Sequence, residues 1–396
     1  MANTLLTPTM VTRKALMILH QKLAFVGTIE RQYDDQFAKD GAKIGTQLKI
    51  RLPNQYTVST GQAITAQDTT ENSVTLTVAT QKVVPMQFFT SELTLSIDDF
   101  SDRIIDPAMA VLAAAVEADA FNMGLDVYQQ VGTPGTTPNA LLTYLQGIAR
   151  LTNSLAPLSG RCLQLAPLDS ATIVDALKGL FQDTQSVSKQ YREGILGRIV
   201  GLDWYQNTLT GRFTNGNTVA ALTVSGAGQT GASVLITSAN TNTFTKGQVF
   251  TMAGCNEVHP ETKVDTGRLQ KFVVTAAITA VGVTVTLAIS PSIVVTGATQ
   301  NVSASPTNGG AIVFDGTASL NYGLNLAYYK QAFAIAFADL YMPKGVDFGA
   351  REAMDGISLR IVRDYDVIND KIVTRADVLY GFSTIRPILA CRVASL

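Results

Sequence analysis

The chain has 396 residues, more than one ordinary domain, and 46% are hydrophobic, so sizeable cores are expected. Charged residues make up only 15%, and 30 Lys and Arg against 31 Asp and Glu leave a net charge of −1. That balance excludes a basic nucleic-acid footprint and an electrostatic hold on a membrane, and so little surface charge fits a protein that covers much of itself with partners.

In chain order, the first element is a helix announced by Thr7 as cap and Pro8 at the first helical position. Val11, Ala15, Leu19, Leu23 and Val26 recur at helical spacing, opposite Arg13, Lys14 and Lys22, with His20 among the polar set. Two readings stand: a surface helix packed on its own domain, or an arm that docks on a neighbouring subunit. Ala15 to Leu19 is too short an apolar run for a signal peptide.

From Gly45 to Thr90 the texture is that of strands. Leu48 to Leu52 alternates, as does Val74 to Val78, and about twenty polar residues separate them where hairpins ordinarily need two to five. A loop of that length, Pro53 to Ser73 with Gly61, Asp68 and Glu71, is expected to be functional or disordered. Asp106-Pro107 then starts the longest helix, predicted to run to about Gln130, roughly 35 Å at 1.5 Å per residue. Ala-rich and apolar on more than one face, it must lie against a sheet, and residues 82–96 with the C-terminal strands would supply one. Its most apolar part, Pro107 to Val116, ends at Glu117 and Asp119, so no membrane span is expected.

Gly132 to Pro138 reads as a boundary. Beyond it, Leu141, Leu145, Ile148, Thr152 and Leu155 mark a helix, Leu163 to Leu165 a strand, and Ile173, Leu177, Leu180 and Phe181 a helix capped near Ser170. Tyr191 to Trp204 is a Gly-punctuated turn and strand. At Thr214 the composition breaks. Through residue 319 the chain is rich in Thr and Gly, and its charges shrink to Lys246, Glu257, Glu261, Lys263, Asp265, Arg268, Lys271 and Asp315. Short β-branched runs at Ala221–Val224, Ser233–Ile236, Val249–Met252, Phe272–Ile278, Val283–Ile289 and Ile293–Val295 predict a small all-β module. Helix and strand texture returns near Leu320, so the module is an insertion into a host domain.

No chemistry-bearing set emerges. Gly226-Ala227-Gly228-Gln229-Thr230-Gly231 spells the dinucleotide fingerprint, but a β-branched run follows it, not a helix, and it reads as a turn. Cys255, His259, Glu261 and Asp265 lack a second ligand pair for zinc. The carboxylate pairs Asp34-Asp35 and Asp98-Asp99 are adjacent residues that do not share a face, so they read as turn caps. Cys162, Cys255 and Cys391 are scattered and odd in number, which suits reduced cytosolic thiols. We therefore expect no catalytic residue, no cofactor and no metal.

The C-terminal residues carry the strongest pattern. Tyr328-Tyr329-Lys330-Gln331-Ala332-Phe333, Phe337-Ala338-Asp339-Leu340 and Met342-Pro343-Lys344-Gly345 are followed by Ser358 to Asp366, Asn369-Asp370, Asp377 to Gly381, Arg386-Pro387 and Leu389-Ala390-Cys391-Arg392. In order and spacing these resemble the C-terminal part of tailed-bacteriophage major capsid (coat) proteins of the P-twenty-two type. The resemblance implies an α+β, Hong Kong 97-like capsid fold with an inserted all-β domain. Its parts would be an N-terminal arm (1–40), an extended β-hairpin loop (41–81), a peripheral domain with a spine helix (82–131 and 341–396), an axial domain (132–213 and 320–340) and the insertion (214–319). The implied function is an icosahedral head shell built from pentamers and hexamers around double-stranded DNA, without sequence-specific binding and without a membrane. A scaffolding protein and a portal would be partners, with assembly in the host cytoplasm and the finished protein in the virion. An encapsulin-like nanocompartment shell with enzyme cargo is the alternative; an enzyme or adhesive β-protein is a third. The resemblance places inter-subunit contacts on the hairpin tip, at Gln55, Tyr56, Gly61, Asp68 and Glu71, and on the arm, at Arg13, Lys14 and Lys22. No lysine lies between Lys49 and Lys82, so shells without covalent cross-links are expected.

Overall fold

The computed structural model describes residues 8–31, 47–58, 61, 71–89, 105–177, 197–217, 222–238 and 241–396. The predictions at Asp34-Asp35, Asp98-Asp99, Leu180-Phe181 and Tyr191 to Leu196, and the His20 side chain, lie outside these. In chain order the elements begin with helices α1 (Pro8–Lys22) and α2 (Phe25–Thr28) and strands β1 (Gln47–Arg51), β2 (Ser73–Thr77) and β3 (Thr80–Phe89). Helix α3 (Asp106–Phe121) precedes β4 (Gln130–Val131), α4 (Leu141–Asn153), β5 (Arg161–Leu165) and α5 (Pro167–Leu177). Then come β6 (Arg198–Ile199), β7 (Leu202–Gln206), β8 (Arg212–Thr214), β9 (Leu222–Val224), β10 (Gly231–Thr237) and β11 (Thr243–Phe244). They continue as β12 (Val249–Val258), β13 (Asp265–Val274), β14 (Ile278–Thr279), β15 (Thr284–Ile293) and β16 (Ala311–Phe314). The chain closes with β17 (Asn321–Tyr329), β18 (Phe333–Ala338), β19 (Phe348–Met354), β20 (Ile357–Asp366), β21 (Lys371–Thr384) and β22 (Ala390–Ala394).

These elements form two compact units. The first holds residues 1–51, 73–120 and 333–385. Its five-stranded sheet is organised by β21, whose 14 residues pair with β20 and β3 along one part and with β18 further on. Helix α1 packs on β19 and β20 and buries Ala15, Leu16 and Leu19, with Leu23 buried just past its end, while Arg13, Lys14 and Met17 face out. Ala15, Leu19 and Leu23 of the predicted face are buried and Leu16 joins them, whereas Val11 is half-buried and Val26 is buried on the separate helix α2. Helix α3 starts at Asp106-Pro107 as predicted but ends at Phe121, continuing only as a 3-10 turn to Asp126. Asn122 and Gly124, weak helix formers, stand where the α-helix gives way. By length and composition Asp106–Asp126 could cross a bilayer. Its acids, however, serve internal packing: Glu117 accepts the Val26 N–H at 3.1 Å, and Asp119 binds Lys82 at 2.9 Å and the Tyr380 hydroxyl at 2.6 Å. It is the core helix of this unit.

The second unit holds residues 52–72, 121–332 and 386–396. Its seven-stranded sheet runs β4-β22-β17-β5-β7-β6, with β8 on the far end of β17. Helix α4 packs on β4, β17 and β22. The helix α5 begins at Pro167, upstream of the cap expected near Ser170, because proline suits the first helical turn. Inside its first turn, Asp169 accepts from the Asn325 amide at 2.5 Å and the Ser395 hydroxyl at 2.6 Å, tying three distant segments together. Strand β18 pairs with β21, whereas β22, from the C-terminal end of the chain, pairs with β17 and β4, a partnership that is invisible in composition.

The Thr- and Gly-rich region forms a closed barrel of order β10-β15-β13-β12-β16-β9. Side chains alternate inward and outward, as in β10, where Val234 and Ile236 are buried between exposed neighbours. The core is the barrel's own, centred on Phe250, which lies 5.8 Å from Phe272 and 5.1 Å from Phe314. The two chain crossings into the barrel run side by side. Thr214 pairs with Asn321, the Asn215 N–H donates to the Leu320 carbonyl, and the Asn215 amide reaches the carbonyls of Asp315 and Thr317 at 3.0 and 2.9 Å.

Candidate functional site: assembly surfaces

Strands β1 and β2 pair from Gln47↔Thr77 to Arg51↔Ser73, and the Leu52 N–H to the Asn72 carbonyl (2.8 Å) adds a rung. Beyond it Gln55 is exposed, Tyr56 is 58% exposed and Val58 is 96% exposed. Gly61 is exposed with φ +119°, a conformation that excludes most side chains, and Glu71 is exposed on the return limb. Asp68 lies outside the described residues.

On α1, Arg13 and Lys14 are exposed. Lys22 is exposed as well but forms an ion pair with Asp106 at 3.2 Å, so part of its charge is used within its own unit. Sequence reading missed a further projecting feature at the β20–β21 turn, where Val367 is 79% and Ile368 92% exposed. Asp366 builds this turn: its carboxylate accepts the Ile368 N–H at 3.0 Å and the Asn369 side-chain amide at 2.7 Å, and its pKa is held below the usual range chiefly by Asn369. The Asp and Asn residues that mark the turn were legible; the bare apolar pair between them was the overlooked signal.

The Gly-rich run and the Cys255–His259 segment are held by their own local bonds. Gly226 to Gly231 is a loop filled by its own Gln229, whose amide donates to the Ser225 and Leu235 carbonyls and accepts the Leu235 N–H. Cys255 is buried in the barrel core with its thiol pushed up to about 11 by desolvation. The Nδ1 of His259 instead accepts the N–H groups of Glu261 and Thr262, closing a turn. Among the described residues no group of three or more His, Cys, Asp or Glu could hold a metal.

Strong internal polar sites also escaped the sequence reading. Asp377, fully buried on β21, accepts from the guanidinium of Arg360 and from Arg375 at 2.9–3.0 Å. Arg360 also donates to the Tyr341 carbonyl at 2.5 Å, and Arg351 reaches Asp339 at 3.4 Å, so the segment after β18 is fastened to the sheet.

The family model described as "P22 coat protein - gene protein 5" matches residues 3–391. No curated protein sequence matches the chain. Similar solved structures include one from Mycobacterium phage Che8, at 11% identity and TM-score 0.48, covering 94% of this chain and 90% of that one. Another is the capsid of Ralstonia phage GP4, at 7% identity and TM-score 0.47, covering 93% and 87%. The CUS-3 coat protein I-domain, at 31% identity and TM-score 0.19, covers 24% of this chain and 96% of its own. The family match carries the assignment, since it spans nearly the whole chain. The chain belongs to the P22 coat protein family: it is a tailed-phage major capsid protein of α+β, Hong Kong 97-like fold, many copies of which assemble into the shell of the virion.

Proposed function

We propose that this coat protein closes an icosahedral head from pentamers and hexamers around double-stranded DNA, through geometry and without catalysis. Heterologous contacts between copies close into rings, and many weak contacts per subunit favour the lattice strongly. The observation that carries the reading is the match to a coat-protein family over nearly the whole chain, joined by the exposure of Tyr56 (58%) and Val58 (96%) on the limb that leaves β1. We assign inter-subunit contact to Gln55, Tyr56, Gly61, Asp68 and Glu71 on that tip, and to Arg13, Lys14 and Lys22 on α1. The near-neutral charge suits a wall that encloses DNA without neutralising many phosphates. Assembly in the host cytoplasm with a scaffolding protein and a portal completes the reading. The family match to a phage coat favours a DNA-filled head over a compartment for enzyme cargo.

Deleting residues 56–70 tests it. The deleted segment holds no part of any described strand, so the variant is expected to fold and to show the parent's circular dichroism while forming no closed shells. Normal shells from the deletion variant would remove the hairpin tip from the assembly mechanism.

A further inference from the structure

Arg392 is fully buried, and the acids that act on it, Asp315 and Asp126, do so at a distance, being paired with Lys271 and Lys246. Its Nε donates to the Val127 carbonyl at 2.6 Å and its Nη1 to the Gly247 carbonyl at 2.8 Å. Val127 belongs to the host part of the second unit, just before β4, while Gly247 lies in the barrel turn between β11 and β12. One planar guanidinium thus spans the junction between the inserted barrel and its host. A buried charge with no acid in direct contact is costly and persists where its hydrogen bonds fix an arrangement. Lysine cannot substitute, because it lacks the rigid fork that reaches two carbonyls at once.

The surroundings show that the junction is tightly made. Gly247 has φ +98°, and a Cβ there would come within 3.1 Å of both Leu125 and Phe213 of the host. Val249 and Val273 of the barrel share a small core with Tyr128 and Ile388 of the host. Two ion pairs flank it, Lys246–Asp126 at 2.9 Å and Arg150–Glu257 at 3.0 Å. Lys246–Asp126 is largely solvated and weak alone, and Arg150–Glu257 is a partly buried hydrogen bond, so Arg392 is the wholly buried fastening of the three.

We propose that Arg392 is the lock that fixes the inserted barrel on its host, so that barrel and host sheet move as one body instead of pivoting on the paired crossings near Asn215 and Asn321. The lock is a property of the single subunit and stands whether or not the shell reading holds.

Peptide-level hydrogen exchange on the soluble, unassembled full chain tests it, comparing the parent with Arg392→Lys and Arg392→Met. The lock requires both variants to raise exchange about tenfold or more in 127–131 and 245–249, each having lost a charge-assisted bond. Barrel-core segments 269–274 and 285–289 should keep parental protection. If junction exchange is unchanged in Arg392→Lys, the fork does not hold the barrel and the idea fails. If junction and barrel core lose protection together, Arg392 is only a general stability residue and the idea fails equally. Should the methionine variant not fold, the lysine variant alone decides between these outcomes.

Discussion

Asp377 is the residue on which the sheet of the first unit most depends for polar satisfaction. It is wholly buried and receives both Arg360 and Arg375, so removing it leaves the largely buried Arg360 without its acid. Asp377→Ala should therefore destabilise by about 3 kcal/mol, somewhat less than a fully buried pair because Arg375 is half exposed. Denaturant titration of the folded subunit reads this directly, and a loss below about 1 kcal/mol would show that the network is dispensable. The three thiols make a second case. Burial pushes Cys162 and Cys255 up to about 11 and Cys391 to about 12. An unfolded thiol ionises first as pH rises, so rising pH through the ordinary thiol range favours unfolding and never exposes a native thiolate. At pH 8 an alkylating reagent should leave all three unlabelled in the native chain and label all three in denaturant; rapid native labelling of any one would refute its burial.

Among elements, the β20–β21 turn is capped by the titrating carboxylate of Asp366. The Asn369 amide, then the Ile368 and Asn369 N–H groups, hold the Asp366 pKa down. A depressed carboxylate contributes stability above its unfolded value and loses it as pH falls through the lower, folded one. The Ile368 and Asn369 amides should thus exchange faster, relative to intrinsic rates, once pH drops below the carboxylate range. Unchanged protection there would mean that the turn holds without its Asp cap. Element-level features were unevenly legible in the sequence. The α1 face, the α3 start and the barrel strands follow from periodicity, capping and β-branched runs, because each is a local signal. The helix end at Phe121 had a local signal in Asn122 and Gly124 that the apolar run outweighed, whereas the sheet membership of β18 and β22 and the Arg392 cluster were not legible. In Arg392's case the partners lie 145 and 265 positions away, and no local pattern announces such a meeting.

For the whole molecule, the 15% charge and the exposed Tyr56, Val58, Val367 and Ile368 are the surface features that the proposed contacts between copies would cover. Candidate contact residues were legible only through the family resemblance; physical reading alone marked the long hairpin loop as unusual without saying what it meets. The most direct test of the account is negative-stain electron microscopy of the full chain expressed in bacteria, with a scaffolding protein supplied. Closed shells, or spirals and tubes of regular capsomers, are the predicted result. A monodisperse monomer under those conditions would contradict it.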